Sequence, residues 1–173
     1  MSDEELLTAR LSLRRPEPND IDTILRVHSD PRTSSHNPSD ALRTRPEAAA
    51  LFEHWDDHWQ RFGFGYWVVR RHTSPEGLGF CGLKYMTFRD RWILNLFYRL
   101  STASWGNGIG GEAAAATVRW AAERLPEYPV VARVRPANVA SQRVAERAGL
   151  ARAEALDAPG LDGIDLIYAA NWY

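Results

Sequence analysis

The segment Arg10-Leu11-Ser12-Leu13-Arg14 alternates polar and apolar positions, as a half-buried strand does. Behind Asn19 and Asp20, either of which can cap a helix, Ile21, Ile24, Leu25 and His28 recur at helical spacing. Ser29 to Arg43 is polar and holds two prolines, so it reads as a long loop, a feature usually kept for function in a compact domain. Thr44-Arg45-Pro46-Glu47 is a capping box with proline in the first turn. It opens a helix to about Arg61 with the stripe Leu51, Phe52, Trp55, Trp59 and Phe62. Tyr66–Arg71, Leu78–Phe88 and Trp92–Leu100 then predict three strands of an antiparallel meander, with turns at 74–77 and 89–91. A glycine-rich turn follows, then a helix from about Gly108 to Leu125 and a strand Val130–Arg135. Asn138–Ala148 predicts a helix ended by Gly149, and Leu150–Leu156 and Ile164–Ala170 predict two late strands. The order β-α-α-β-β-β-α-β-α-β-β predicts a mixed α/β sheet with helices on both faces.

Length and charge narrow the class. At 173 residues the chain is expected to form one domain, residues 1–173, with a real core. A net charge of −1 gives no reason to expect nucleic acid or anionic membrane as a partner. No apolar run approaches the ~18 residues of a membrane span. The acidic start Met1-Ser2-Asp3-Glu4-Glu5 lacks the apolar segment of a signal peptide, so a cytoplasmic location is expected. Cys81 is the sole cysteine, which excludes an internal disulfide, and within a strand it reads as a buried, inert thiol. Seven tryptophans are many for this length; core packing is the default reading, with pocket lining as the alternative for some of them.

The segment Trp105-Gly106-Asn107-Gly108-Ile109-Gly110-Gly111-Glu112-Ala113 carries the chemistry. It ends a strand and opens a helix, so several backbone N–H groups and the positive end of a helix dipole converge, which suits a phosphate or pyrophosphate. Gly106, Gly108 and Gly111 satisfy a loose dinucleotide fingerprint, yet the next strand, Val130–Arg135, lacks the acidic residue that would hold a ribose. Only 62 residues follow Gly111, too few for the βαβαβ unit such a fingerprint opens. A Walker loop fails because no Lys-Ser or Lys-Thr pair follows the glycines. An acyl-coenzyme A pyrophosphate loop survives. No G-x-S-x-G elbow is present, which argues against a serine hydrolase.

A second motif, Asn138-x-x-Ser141-x-x-Val144-x-Glu146-x-x-Gly149-Leu150, lies one helix and one strand further on. Together the two resemble the GCN5-related N-acetyltransferase (GNAT) superfamily, and within it the RimJ/RimL-like branch. Trp105, Gly108 and Gly110 fill the places of that superfamily's coenzyme A loop, with Trp for the usual Arg or Gln and Leu150 for the branch's Phe. The resemblance implies an acyl-coenzyme A N-acyltransferase fold: a mostly antiparallel sheet of about seven strands, splayed between the fourth and fifth. It implies transfer of acetyl from acetyl-coenzyme A directly to a primary amine, either a protein N-terminus or a small molecule, without a metal. The turn Gly106–Gly111 would bind the pyrophosphate. Trp105, Gly106, Asn107, Gly108, Ile109, Gly110, Gly111, Asn138 and Arg143 form the expected coenzyme set, with Arg147 beside Arg143. An N–H near Tyr98 or Leu100 would polarise the thioester carbonyl. Ser141 is the candidate partner of the leaving thiolate.

Two family positions differ. The tyrosine that many relatives place on the second-motif helix is Ala145 here, and the carboxylate that related chains carry before the loop is Asn95. These departures motivate an alternative, a non-catalytic acyl-coenzyme A sensor. A nucleotide-binding oxidoreductase is a further alternative. Glu53, His54, Asp57 and His58 on the second helix offer a general base, although each also fits an exposed polar face. His54 and His58 stand at i, i+4, but no third metal ligand is visible. Glu112 is expected to offset the helix dipole rather than react. Acidic Glu53, Asp56 and Asp57 suggest a cationic acceptor, and a C-terminal edge strand within Ile164–Tyr173 could pair in a homodimer.

Overall fold

The computed structural model describes residues 5–173, so the acidic start Met1–Glu4 lies outside the described residues. The strands are β1 (Glu5–Leu7), β2 (Leu11–Arg14), β3 (Tyr66–Arg71), β4 (Gly79–Phe88), β5 (Arg91–Leu100), β6 (Val130–Val134), β7 (Ala151–Arg152), β8 (Ala158–Gly160) and β9 (Gly163–Ala170). The helices are α1 (Ile21–Ser29), α2 (Arg45–Phe62), α3 (Ile109–Arg124) and α4 (Val139–Arg147). The sheet runs β1-β2-β3-β4-β5-β6-β9-β7, with β8 paired to β9. Every pairing is antiparallel except β5 with β6.

Capping chemistry explains the helix boundaries. Thr44 accepts from the Glu47 N–H and Glu47 reaches back to Thr44, while Gly63 ends α2 at φ +76°. Asn138 caps α4 by accepting from the Ser141 N–H at 3.1 Å. At α1 neither expected cap acts in that way: Pro18–Asp20 forms a 3-10 turn, and the Asp20 carboxylate binds the Glu17 N–H and Arg14 instead.

The pleat sorts side chains into two layers. Trp67, Cys81, Leu83, Leu94 and Leu96 pack under Ile109, Ala113, Ala114 and Trp120 of α3 and Ala145 of α4. Tyr66, Val68 and Phe80 face Ile21, Ile24 and Val27 of α1 and Ala48, Phe52 and Trp55 of α2. Gly82 sits between Tyr66 and Phe97 in the register. A Cβ there would lie 2.3 Å from the Gly65 carbonyl and 2.5 Å from the Tyr66 Cα, so only glycine lets β3 approach. With no side chain between them, the Tyr66 and Phe97 rings stack at 4.7 Å.

Several expectations change. Two strands are added, β1 and β8, each too short to show a period. The expected strand Leu150–Leu156 is only Ala151–Arg152, followed by a 3-10 turn at Glu154–Leu156. The C-terminal strand is not an edge: β9 pairs with β6 on one side and with β7 and β8 on the other, so the edge-pairing route to a homodimer is lost. The loop Ser29–Arg43 contains a 3-10 turn, Pro38–Asp40, and is tied down by the Asp40–Arg99 ion pair at 2.9 Å. No helix among the described residues is long and apolar enough to cross a membrane.

Candidate active site

The pairing of β5 with β6 is brief: Leu94 meets Val130 and Asn95 meets Val131, and then the strands part. Leu94 donates its N–H towards the β6 side, to the Pro129 carbonyl at 2.8 Å. The Asn95–Val131 pairing occupies the Leu96 N–H, and alternation then aims the N–H groups of Tyr98 and Leu100 into the opening. At its far end the Leu100 carbonyl accepts from the Trp105 indole at 3.1 Å. A cleft of about 1690 Å³ passes through this gap and reaches both layers of helices.

At one end lies the glycine turn. Gly106 and Gly108 hold φ of +81° and +73°, which glycine adopts without strain. The first α3 bond is from the Glu112 N–H to the Gly108 carbonyl, so the amides of Ile109, Gly110 and Gly111 precede the helix's own acceptors. Ser104, Trp105, Gly106, Gly108, Ile109 and Gly110 line the cleft here. Arg143, Arg147 and Asn138 face them from α4, and neither arginine has an acidic partner among the described residues. A Cβ at Gly111 would meet the Arg147 Cδ at 3.3 Å, so glycine there lets the arginine stem lie across the turn. This donor set, amides plus two arginines, fits a phosphorylated ligand. Asn107 does not line the cleft: its carbonyl accepts from Arg10 Nη1 at 2.8 Å and supports the turn from behind. Glu112 is also structural, accepting from Thr8 and from the Arg10 backbone and side chain.

At the waist the Tyr98 hydroxyl lies 2.7 Å from both the Ser141 carbonyl and the Ser141 hydroxyl. Burial raises the Tyr98 phenol well above its ordinary range, so it stays protonated and donates. Ala145 is fully buried beneath α4, and Tyr98 reaches that helix from the strand instead. Spacing along the chain offers no hint of this contact, because it joins residues on different elements.

The other end is aromatic. His28, Trp55, Tyr66 and Phe97 line it, with Lys84 and Asn95 opposite each other on β4 and β5. Asn95 donates to the Tyr66 hydroxyl at 3.3 Å, and burial pushes that phenol up to about 12. The loop Ser29–Arg43 and the β8–β9 hairpin meet over this end, where Ser39 donates from both backbone and hydroxyl to Asp162.

The base candidates on α2 lie elsewhere. Glu53, His54 and Asp57 are exposed and line no part of the cleft, and Asp56 binds Arg15 and Gln60. The hint of a cationic acceptor drawn from these acids therefore falls. His58 donates from Nδ1 to the Phe64 carbonyl at 2.8 Å and accepts at Nε2 from the Tyr85 N–H at 3.0 Å, which leaves neither nitrogen for a metal or a proton. His28, read in the sequence only as part of an apolar stripe, lines the cleft and is buried, whereas His36 of the covering loop lines it from a part-exposed position. Cys81 is buried against Thr117, and desolvation pushes its thiol up to about 12, too high for a nucleophile near neutral pH.

Comparison with known proteins agrees with this geometry. The Acetyltransferase (GNAT) domain family matches residues 10–151. The uncharacterised protein YkkB of Bacillus subtilis is 27% identical over 150 residues, 84% of each chain. The crystal structure of an acetyltransferase from Agrobacterium tumefaciens superposes with a TM-score of 0.81 at 28% identity, covering 97% of this chain and 94% of that one. RimL, a ribosomal L7/L12 alpha-N-protein acetyltransferase solved with coenzyme A, shares the fold at 16% identity with a TM-score of 0.76, covering 95% of this chain and 96% of that one. The parting of a parallel strand pair over a glycine turn, rather than a βαβαβ unit, removes the dinucleotide oxidoreductase alternative, and the chain belongs to the GNAT acetyltransferase family.

Proposed function

We propose that this protein is an acetyl-coenzyme A-dependent N-acetyltransferase that transfers acetyl directly to a primary amine, either a protein N-terminus or a small molecule. One observation carries the proposal. One cleft joins the glycine turn to an aromatic end, and its waist holds the part of β5 that β6 leaves unpaired, beside Ser141. Acetyl-coenzyme A supplies the activated acetyl group, and the rest falls to the protein. The amides of the glycine turn, with Arg143 and Arg147, hold the pyrophosphate and phosphate charge. The Tyr98 or Leu100 N–H stabilises charge on the acetyl oxygen as the amine attacks. Tyr98 donates to the Ser141 carbonyl and lies 2.7 Å from the Ser141 hydroxyl, which fixes this serine at the waist as the proton donor to the leaving sulfur. The aromatic walls exclude water around the reacting amine.

Asn95 and Ala145 favour a second reading, a non-catalytic acyl-coenzyme A sensor, because both family positions for proton transfer are empty of titratable groups. The sensor binds without turnover. Calorimetric titration with acetyl-coenzyme A, with NADH and NADPH as controls, tests the site. Micromolar binding of acetyl-coenzyme A alone is expected, and binding of a dinucleotide instead would refute the pyrophosphate assignment. An acceptor screen that follows coenzyme A release then separates enzyme from sensor.

A further inference from the structure

Direct transfer requires a destination for the acceptor's proton, and neither Asn95 nor the acids of α2 supplies one. We infer that His28 receives this proton at Nε2 and so acts as the general base, an inference that rests on the proposed acetyl transfer.

The ring sits in the last turn of α1, only 2% exposed, and lines the aromatic end of the cleft. Its Nδ1 lies 2.9 Å from the Ile24 carbonyl oxygen. A carbonyl can only accept, so Nδ1 bears the proton and Nε2 carries the lone pair. Among the described residues Nε2 has no partner within the chain. The ring stacks on Phe97 at 6.4 Å and is held from other sides by Trp55 at 5.9 Å and Phe80 at 6.0 Å. Phe97 adjoins Tyr98 and stands two residues from Asn95 on the same face of β5, so the histidine lies beside the place where relatives put a carboxylate.

The charges facing the ring are Arg99, on β5, and Asp40, from the loop that covers the cleft; the two form an ion pair. Burial first, and Arg99 second, lower His28 to about 4. The base is therefore neutral at physiological pH and as basic as an ordinary carboxylate. That matches the group missing at Asn95.

The step balances. The amine, bound as its free base, forms the C–N bond and its nitrogen becomes cationic. One N–H proton passes to Nε2. The C–S bond breaks with its electron pair on sulfur, and the thiolate gains a proton from the Ser141 hydroxyl to become the thiol. His28 returns its proton to solvent, and Ser141 regains one from there.

The test compares wild type with His28→Gln, which keeps hydrogen-bonding capacity without basicity. The acceptors are a serine-initiated peptide, spermidine and benzylamine, with hydroxylamine, uncharged near neutrality and easily deprotonated, as reference. For the best of the three amines, turnover is expected to fall by about 100-fold, within the usual range for a lost general base. The loss with hydroxylamine is expected to be at least about tenfold smaller, and acetyl-coenzyme A affinity to stay within about twofold. Equal losses with both kinds of nucleophile would mark a structural role and overturn the inference, as would no loss. Nitrogen-15 NMR of histidine-labelled protein, assigned by the same variant, is expected to show Nε2 of His28 unprotonated at pH 7. A protonated Nε2 overturns the inference without touching the acetyl-transfer proposal. Failure of the wild type to bind acetyl-coenzyme A would sink that proposal itself. Binding with no turnover of any nucleophile would leave the sensor reading and remove the base with it.

Discussion

Ser141 and His28 show how differently two side chains can be visible in a sequence. Ser141 stands in a motif whose spacing follows from one helix, so the chain itself points to it. The fold adds that its hydroxyl is held by Tyr98 across the sheet at 2.7 Å. We expect Ser141→Ala to lower kcat by about 10- to 100-fold while leaving acetyl-coenzyme A affinity nearly unchanged. Steady-state kinetics with calorimetry checks this, and an unchanged rate removes Ser141 from the mechanism. His28 has no motif. Its burial depends on Trp55, Phe80 and Phe97, which come from three other elements. Its shift also has a consequence for stability. The folded value of about 4 lies below the ordinary 6.5, so the unfolded chain takes up the proton first. The stabilisation is whole above pH 6.5 and is lost as pH falls from 6.5 towards 4, with an upper bound of about 3 kcal/mol. His58, also lowered by burial, adds in the same direction. Thermal melts across this window should show Tm falling with acid, and His28→Gln should flatten the slope. A wild-type Tm that holds steady from pH 7 to 4 would contradict the buried neutral imidazole.

Elements with a strong period or a capping signal were legible in the chain: the α2 capping box, the glycine turn, the meander and α4 all lie where the pattern puts them. Elements of two or three residues were less so: β1 and β8 were missed and β7 was expected longer, because they owe their pairing to neighbours rather than to their own sequence. Glycine positions test the element boundaries. Gly108→Glu places a charged side chain on a backbone at φ +73° in the glycine turn proposed to bind the pyrophosphate. Coenzyme affinity is expected to fall by at least about 100-fold from strain and like-charge repulsion, with the melt still cooperative. Retained affinity by titration would refute the role of the turn. Gly82→Ala pushes a methyl into the β3 backbone, at 2.3 Å from the Gly65 carbonyl. Destabilisation of about 2–3 kcal/mol is expected in denaturant unfolding, together with loss of the Tyr66–Phe97 stack that walls the aromatic end of the cleft.

Across the molecule, the cleft is a product of topology. It exists because β5 and β6 pair over two residues and then diverge, and because the Ser29–Arg43 loop and the β8–β9 hairpin meet at Ser39 and Asp162. That tie joins segments 123 positions apart, and it closes the aromatic end from above. Asp162→Ala should loosen the cover and raise the acceptor KM by about 3- to 10-fold, the worth of one or two exposed hydrogen bonds. Acetyl-coenzyme A affinity should not change, since the turn lies at the opposite end. A rise in both constants, or in neither, would show that the tie does not govern acceptor entry.

Local chemistry was sufficient for the helices, the meander, the glycine turn and the argument against a Walker site. Each rests on spacing, capping or glycine freedom within one stretch of chain. The family resemblance, carried by two such stretches, also anticipated the splayed sheet. Long-range packing settled the remainder. It buried β9 between strands instead of leaving it at an edge, turned the α2 acids and His58 away from the cleft, set Tyr98 against Ser141, and brought His28 to the aromatic end of the cleft. These are contacts between residues far apart in the chain, whose partners become neighbours only when the two helical layers close on the sheet.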